Sequence, residues 1–424
     1  MIIYVVRKGD SLYEIARKYN VSVDDISYIN MLENPERLVV GQSLIIPIKS
    51  YMHTVQSGES IYGIAKMYQV SVNEILKTNP NITNPGLIYP GEKINIPTDN
   101  RNKKRIDVNG YAYTNIVDTT LDNSLQNLTY ISPFSYEVKK DGTIRNLNDE
   151  VIRTKAITTN TLPILVITNI KESGGFDSET ANEILTNQEV QNELLDNIED
   201  MLESKGFAGL NVDFEYIYPE NKNDYNIFLQ KLADRIKSKN YLLFTSVAPK
   251  IGGNQAGTLY EAHDYAFHGK AADGVIIMTY EWGYTYGPPM AVAPLNQVKR
   301  VLEYAITTIP KEKILMGMPN YGYDWKLPYQ KGTAAKAISN LTALNIAIRN
   351  NSEIKFDSVA SAPYFKYFSD GTEHIVWFDD ARSFEARFEL IEEYGLAGTS
   401  IWTINNFFKP MFVVLTSQYD VKKR

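Results

Sequence analysis

Ala208-Gly209-Leu210-Asn211-Val212-Asp213-Phe214-Glu215-Tyr216 is the stretch that decides the fold, because it reads as a buried strand carrying two carboxylates at alternate positions. Residues two apart on a strand share a face and lie ~7 Å apart. Asn211, Asp213 and Glu215 therefore form one polar row, and Leu210, Val212 and Phe214 an apolar one. In a parallel sheet both faces are covered, and an unpaired buried carboxylate costs several kcal/mol, so acids retained there serve a purpose. The alternative is an amphipathic edge strand with its acids in water.

The flanking sequence favours the parallel sheet. Apolar runs at 108–114, 128–136, 162–169, 209–216, 242–249, 274–280, 314–321 and 398–404 alternate with helical patterns at 179–204, 223–238, 296–306 and 383–394. Strand-helix units repeated eight times over about 300 residues predict an α/β fold, a (β/α)8 TIM barrel spanning 106–424. The last interval is too long for one helix. It holds two strand-like runs at 362–368 and 374–379, which predict a small α+β insertion at about 326–376.

Before the barrel the chain repeats itself. Arg7-Lys8-Gly9-Asp10-Ser11-Leu12-Tyr13-Glu14-Ile15-Ala16 matches Gln56-Ser57-Gly58-Glu59-Ser60-Ile61-Tyr62-Gly63-Ile64-Ala65, Asn30 matches Asn79, and Val40-Gly41-Gln42 matches Pro90-Gly91-Glu92. Each copy reads strand, helix, helix, strand (βααβ), with Ser11, Ser22, Ser60 and Ser71 as helix N-caps. The expected boundaries are 1–48 and 50–98, with a polar linker at 99–105. The copies resemble LysM modules, small domains that bind N-acetylglucosamine-containing glycans. The resemblance implies a glycan groove between the turn after the first strand (Gly9, Asp10, Ser11, Leu12; Gly58, Glu59, Ser60, Ile61) and the loop that begins at Asn30 or Asn79. Two tethered weak sites would raise avidity on a repetitive polymer.

Composition narrows the chemistry. A length of 424 residues with 44% hydrophobic content supports more than one domain. Net charge is −7, and nine basic residues balance nine acidic ones before residue 98, so the whole acidic excess falls beyond it. No basic face invites nucleic acid, and the run Arg101, Lys103, Lys104, Arg105 reads as solvated linker. Cysteine is absent, which excludes disulfides and thiolate chemistry, and His53, His263, His268 and His374 show no zinc-ligand spacing. No metal and no cofactor are expected. No signal-like leader opens the sequence and no apolar run is long enough to span a bilayer, so neither export by a signal peptide nor a membrane partner is expected.

In a barrel of this kind functional groups gather at the C-terminal ends of the strands. Those ends offer Asp213 and Glu215, then Met278-Thr279-Tyr280-Glu281, then Met318-Pro319-Asn320-Tyr321, then Trp402. Carboxylates among Tyr and Trp suit a sugar, whose apolar ring face stacks on aromatics while its hydroxyls take hydrogen bonds.

These strands resemble family 18 glycoside hydrolases, the chitinase-type barrels whose fourth strand carries Asp-Gly-x-Asp-x-Asp-x-Glu. Here the motif reads Ala208-Gly209-Leu210-Asn211-Val212-Asp213-Phe214-Glu215: the last two acids are kept, the first two are Ala and Asn. The resemblance implies substrate-assisted chemistry, in which the sugar's own acetamide is the nucleophile and one acid suffices. It makes Glu215 that acid, Asp213 the partner of the acetamide N–H, Tyr280 the donor to its oxygen, and Asn211 the stand-in for a relay carboxylate. It gives Trp402 the floor of the sugar site, with Met278, Glu281, Asn320 and Tyr321 as further substrate contacts. Glu281 is one methylene longer than the family Asp.

Two LysM modules joined to such a barrel further resemble spore cortex-lytic enzymes of endospore-forming bacteria. That implies a retaining N-acetylglucosaminidase acting on peptidoglycan glycan strands in the spore coat or cortex, working as a monomer. The competing readings are a non-catalytic lectin and a true chitinase.

Overall fold

A computed structural model of the chain describes residues 1–48, 50–68, 70–97 and 103–424. Eight parallel strands close a barrel: β1 (Lys104–Ala112), β2 (Tyr130–Pro133), β3 (Leu162–Thr168), β4 (Gly209–Asp213), β5 (Leu242–Val247), β6 (Gly274–Ile277), β7 (Ile314–Pro319) and β8 (Gly398–Trp402), with β8 pairing back onto β1. Side-chain alternation sorts each strand into two layers. Leu210, Val212 and Phe214 join the large apolar cluster under the outer helices, whereas Asn211 reaches Tyr111 and Ser246 inside the barrel. The (β/α)8 architecture is as the apolar periodicity indicates.

The stretch expected as one helix at 179–204 is two, Ser178–Thr186 and Gln188–Lys205. Asn187 breaks it: its backbone is extended and its side chain accepts the N–H groups of Glu189 and Val190, so it starts a new helix rather than continuing the old one. The inserted sheet begins at Gly322 rather than 326. Its antiparallel order is Lys336–Ile338, Gly322–Leu327, Thr372–Trp377, Ala362–Ser369, Lys355–Asp357, with helix Asn340–Arg349 packed against it.

Both N-terminal repeats form the expected strand-helix-helix-strand unit around a small core, and all four serines cap helices as expected. Residues 99–102 of the expected linker lie outside the described residues. Lys104 and Arg105 are not linker: they open β1 and pair with Tyr419 and Asp420, while Lys103 Nζ donates to the Thr416 carbonyl.

The first module is built into the barrel body. Val39 enters the apolar cluster of the insertion, and Ile45 enters that of the barrel. Ile354 N–H donates to Val40 O at 2.9 Å, Arg382 donates to Gly41 O at 3.1 Å, Asn345 to Glu33 at 2.8 Å, and Lys409 Nζ sits over the Tyr28 ring. The matching hairpin of the second module carries Leu87 and Tyr89 at 58% and 64% exposure. Gly41 and Gly91 share a left-handed backbone (φ 85° and 88°), yet a Cβ on Gly41 would drive into the Ile354 carbonyl, and on Gly91 would meet nothing.

That contrast makes a matched test. Gly91→Ala should lose only the ~1 kcal/mol of left-handed strain. Gly41→Ala should lose that plus ~1–3 kcal/mol of overpacking against the insertion. Equal unfolding midpoints for the two variants would show that the docking contributes nothing to stability.

Candidate active site

At the C-terminal mouth of the barrel the strand ends surround a cleft of connected lobes. One of about 590 Å³ is walled by Tyr111, Tyr113, Phe134, Phe176, Asp213 and Trp402. A second of about 560 Å³ runs past Ala248, Gln255, Tyr260 and Trp282. The two share Glu215, Tyr216, Met278, Tyr280 and Glu281, which therefore stand where a chain threading both lobes would cross. A third lobe of about 310 Å³ opens toward the insertion, between Trp402, Tyr321, Tyr323 and Ser339.

Asp213 is the last residue of β4 and is 4% exposed; its Oδ1 is buried with no hydrogen-bond partner among the described residues. Burial disfavours the charged form and pushes the carboxyl up to about 7, with the Ser246 hydroxyl pulling the other way. Glu215 lies beyond the strand end, not within the strand as expected. The ladder stops at Asp213, and the Asn169 side chain takes over, accepting Glu215 N–H at 3.0 Å and donating to Glu215 O at 2.9 Å. Burial, then the charges of Asp213 and Glu281, raise its carboxyl well above the ordinary range.

Tyr280 follows β6, and burial together with the surrounding acids and Tyr111 raises its hydroxyl, which stays protonated and able to donate. Trp402, at the end of β8, is met edge-on by Phe134 at 4.6 Å, Tyr111 at 5.3 Å and Tyr113 at 5.8 Å. Glu281 accepts from Tyr321 and Tyr323, which leaves it a bridge between β6 and the insertion. A closed parallel barrel thus presents three raised carboxyls (Asp213, Glu215 and Glu281), a tyrosine donor and an aromatic floor at one end.

Against known families, residues 106–406 match the model for glycosyl hydrolases family 18, and residues 4–47 and 53–97 match the LysM domain. The chain belongs to glycosyl hydrolase family 18. It is 39% identical to the cortical fragment-lytic enzyme of Bacillus subtilis (strain 168), over 100% of this chain and 99% of that one. The enzyme of the same description from Bacillus anthracis is 40% identical over the same shares. The crystal structure of the Bacillus megaterium QM B1551 spore cortex-lytic enzyme SleL matches with a TM-score of 0.90 at 38% identity, covering 100% of this chain and 99% of that one.

Within this family 18 glycosidase several expected site residues sit elsewhere. Asn211 is fully buried one layer below the cleft, donating to Tyr111 OH at 2.6 Å and to Ser246 at 3.1 Å. Asn320 does not line the cleft. Its amide donates to the carbonyls of Thr403 and Asn406 and ties β7 to the segment after β8. In the modules, Asn30 and Asn79 are buried and clamp the second helix to the last strand, each exchanging hydrogen bonds with the backbone of Ile45 or Asn95. Leu12 and Ile61 are core. Asp10 and Glu59 accept the N–H of Arg7 and Gln56, and Ser11 and Ser60 cap their helices. In the expected grooves these side chains shape the turn itself.

Sequence reasoning missed Tyr111, Tyr113, Phe134, Phe176, Tyr216 and Ser246. The first two were legible in principle, because Asn109, Tyr111 and Tyr113 alternate on β1 and run off its end as Asn211, Asp213 and Glu215 do on β4. Phe176 and Tyr216 sit on loops and had no such signal.

Proposed function

We propose that the chain is a retaining N-acetylglucosaminidase that cuts peptidoglycan by substrate-assisted catalysis, acting on spore cortex or its fragments. The observation that carries this reading is the pair Asp213 and Glu215, both raised by burial, with Asp213 in the lobe walled by Trp402 and Glu215 beside Tyr280 where that lobe meets the second. The full-length likeness to cortical fragment-lytic enzymes supports the substrate.

The sugar to be cleaved lies on Trp402 with its acetamide toward Asp213 and Tyr280. Glu215, neutral at working pH, gives its proton to the glycosidic oxygen as the acetamide carbonyl attacks C1. Asp213 Oδ1 accepts the acetamide N–H and offsets the positive charge of the oxazolinium, while the Tyr280 hydroxyl holds the acetamide oxygen in line. Glu215, now ionised, takes a proton from the water that opens the ring at C1, and the β configuration is restored. Met278 and Tyr321 line the lobes around this centre. The modules hold the polymer, and the protein acts as a monomer in the spore. Nucleic acid and membrane are not partners in this scheme; among the described residues no helix is long and apolar enough to cross a membrane.

Digestion of purified cortex fragments, followed by mass spectrometry and early-time NMR, tests the assignment. The expected products carry new reducing-end N-acetylglucosamine, released first as the β anomer. Reducing-end muramic acid or an α anomer would overturn bond or mechanism. Binding without cleavage would establish the lectin alternative, and cleavage of chitin alone the chitinase one.

A further inference from the structure

Glu215 sits past the last rung of its strand, where Thr168 pairs with Asp213 and Thr245 with Val212. Its backbone is nevertheless held on both sides. Toward β3, Asn169 is 1% exposed and takes both the N–H and the C=O of Glu215. Toward β5 stands His263, also 1% exposed, in the turn before helix Tyr265–Ala271. Its Nε2 lies 2.9 Å from Phe214 O, the carbonyl of the peptide that supplies Glu215 N–H, and its Nδ1 accepts Ala248 N–H at 2.9 Å. A carbonyl only accepts and an amide N–H only donates, so the ring is the neutral Nε2–H tautomer. The turn is itself braced: Lys250 Nζ donates to His263 O, and Tyr265 OH bridges Ala248 O and Lys250 N–H.

We infer that His263 and Asn169 are positioning residues for Glu215: they continue the sheet by side chain where its backbone ladder has ended, and so fix the reach of the acid although neither lines the cleft. This rests on Glu215 being the acid. Buried His263 is held far from protonation, its pKa lowered to about 4, chiefly by burial, which keeps the clamp intact at neutral pH. The requirement is physical: a side chain that must meet a glycosidic oxygen within hydrogen-bond reach loses ~10²-fold in rate for a displacement near 1 Å. Beyond the clamp the chain turns at once through Tyr216, at φ 54°, so slack there would pass directly to Glu215.

The test separates a positioning role from a merely structural one by the leaving group. A sugar leaving group needs the proton; an aryl one does not. His263→Gln keeps a donor near the Nε2 position, His263→Asn keeps only an acceptor near Nδ1, and Asn169→Ala removes the other side. With kcat/KM measured on a soluble N-acetylglucosaminyl-muramyl fragment and on an aryl N-acetylglucosaminide, His263→Asn and Asn169→Ala should lose about tenfold or more on the first and under about threefold on the second. His263→Gln should recover most of the loss. Equal losses on both substrates, or no difference between His263→Gln and His263→Asn, would overturn the inference. If one variant fails to fold, the other's ratio still decides. Glu215→Gln measured alongside keeps the two readings apart. If it retains full activity on the sugar substrate, the acid assignment falls; if it is inactive while His263→Asn matches the parent, only the clamp falls.

Discussion

Glu215→Gln is expected to fold as the parent does, to hold peptidoglycan, and to turn it over at least ~10²-fold more slowly, the scale of lost general acid catalysis. Glutamine has the shape of the neutral acid and can make its hydrogen bonds, but it has no proton to give the leaving oxygen and cannot take one from water afterwards. The site demands little of the side chain otherwise, since among the described residues no hydrogen bond engages its carboxylate. The parent's activity should fall as pH rises through the raised Glu215 pKa, because the deprotonated form cannot act as an acid. Near-parental turnover by Glu215→Gln on cortex fragments would remove it from the mechanism.

Asp213→Asn should lower turnover by ~10²–10³-fold, the range seen when a preorganised partner of transition-state charge is removed. It should also stabilise the protein at alkaline pH. The folded-state pKa of Asp213 is raised from 3.8 to about 7, so the native state binds the proton more tightly than the unfolded chain does. Stability therefore falls as pH rises through that window, and the full penalty is present above about pH 7. Asparagine never pays it. The gap in unfolding midpoint between variant and parent should open between pH 4 and 7 and hold level beyond. The variant's residual activity should also lose its alkaline limb at lower pH, because a negative charge that raised Glu215 is gone. A variant less stable than the parent at pH 8 would show that the Asp213 charge is compensated in the fold.

Much of this was readable along the chain because the relevant spacing is short. Residues two apart on a strand share a face, so the acids of β4, the Tyr of β6 and the Trp of β8 could each be placed at a strand end from local pattern alone. The capping serines were likewise local, each accepting from an N–H three residues on. Where polar residues sit apart from their expected surfaces, the physical cause is that a polar side chain near the end of an element can face a ligand or satisfy a distant backbone, and sequence does not distinguish them. Asn30 is engaged by Ile45, 15 residues away, and Asn320 by Thr403, 83 away. Asn211 shares the row of Asp213 and Glu215, but its depth in the barrel was invisible.

By itself the sequence determined the alternation that makes a barrel, the two repeats ahead of it, and the pair of carboxylates at a strand end, since each follows from side-chain period and backbone preference within a few residues. Only the tertiary structure decided which of the two matching hairpins docks against the barrel body. Gly41 and Gly91 have the same backbone, and just one of them meets Ile354. It likewise decided that Glu215 lies beyond the ladder, its backbone held by Asn169 just past the end of β3 and by His263 in the turn before helix Tyr265–Ala271. Hydrogen bonds between segments 46 and 49 residues apart depend on how the barrel closes, and closure is a property of all eight strands together.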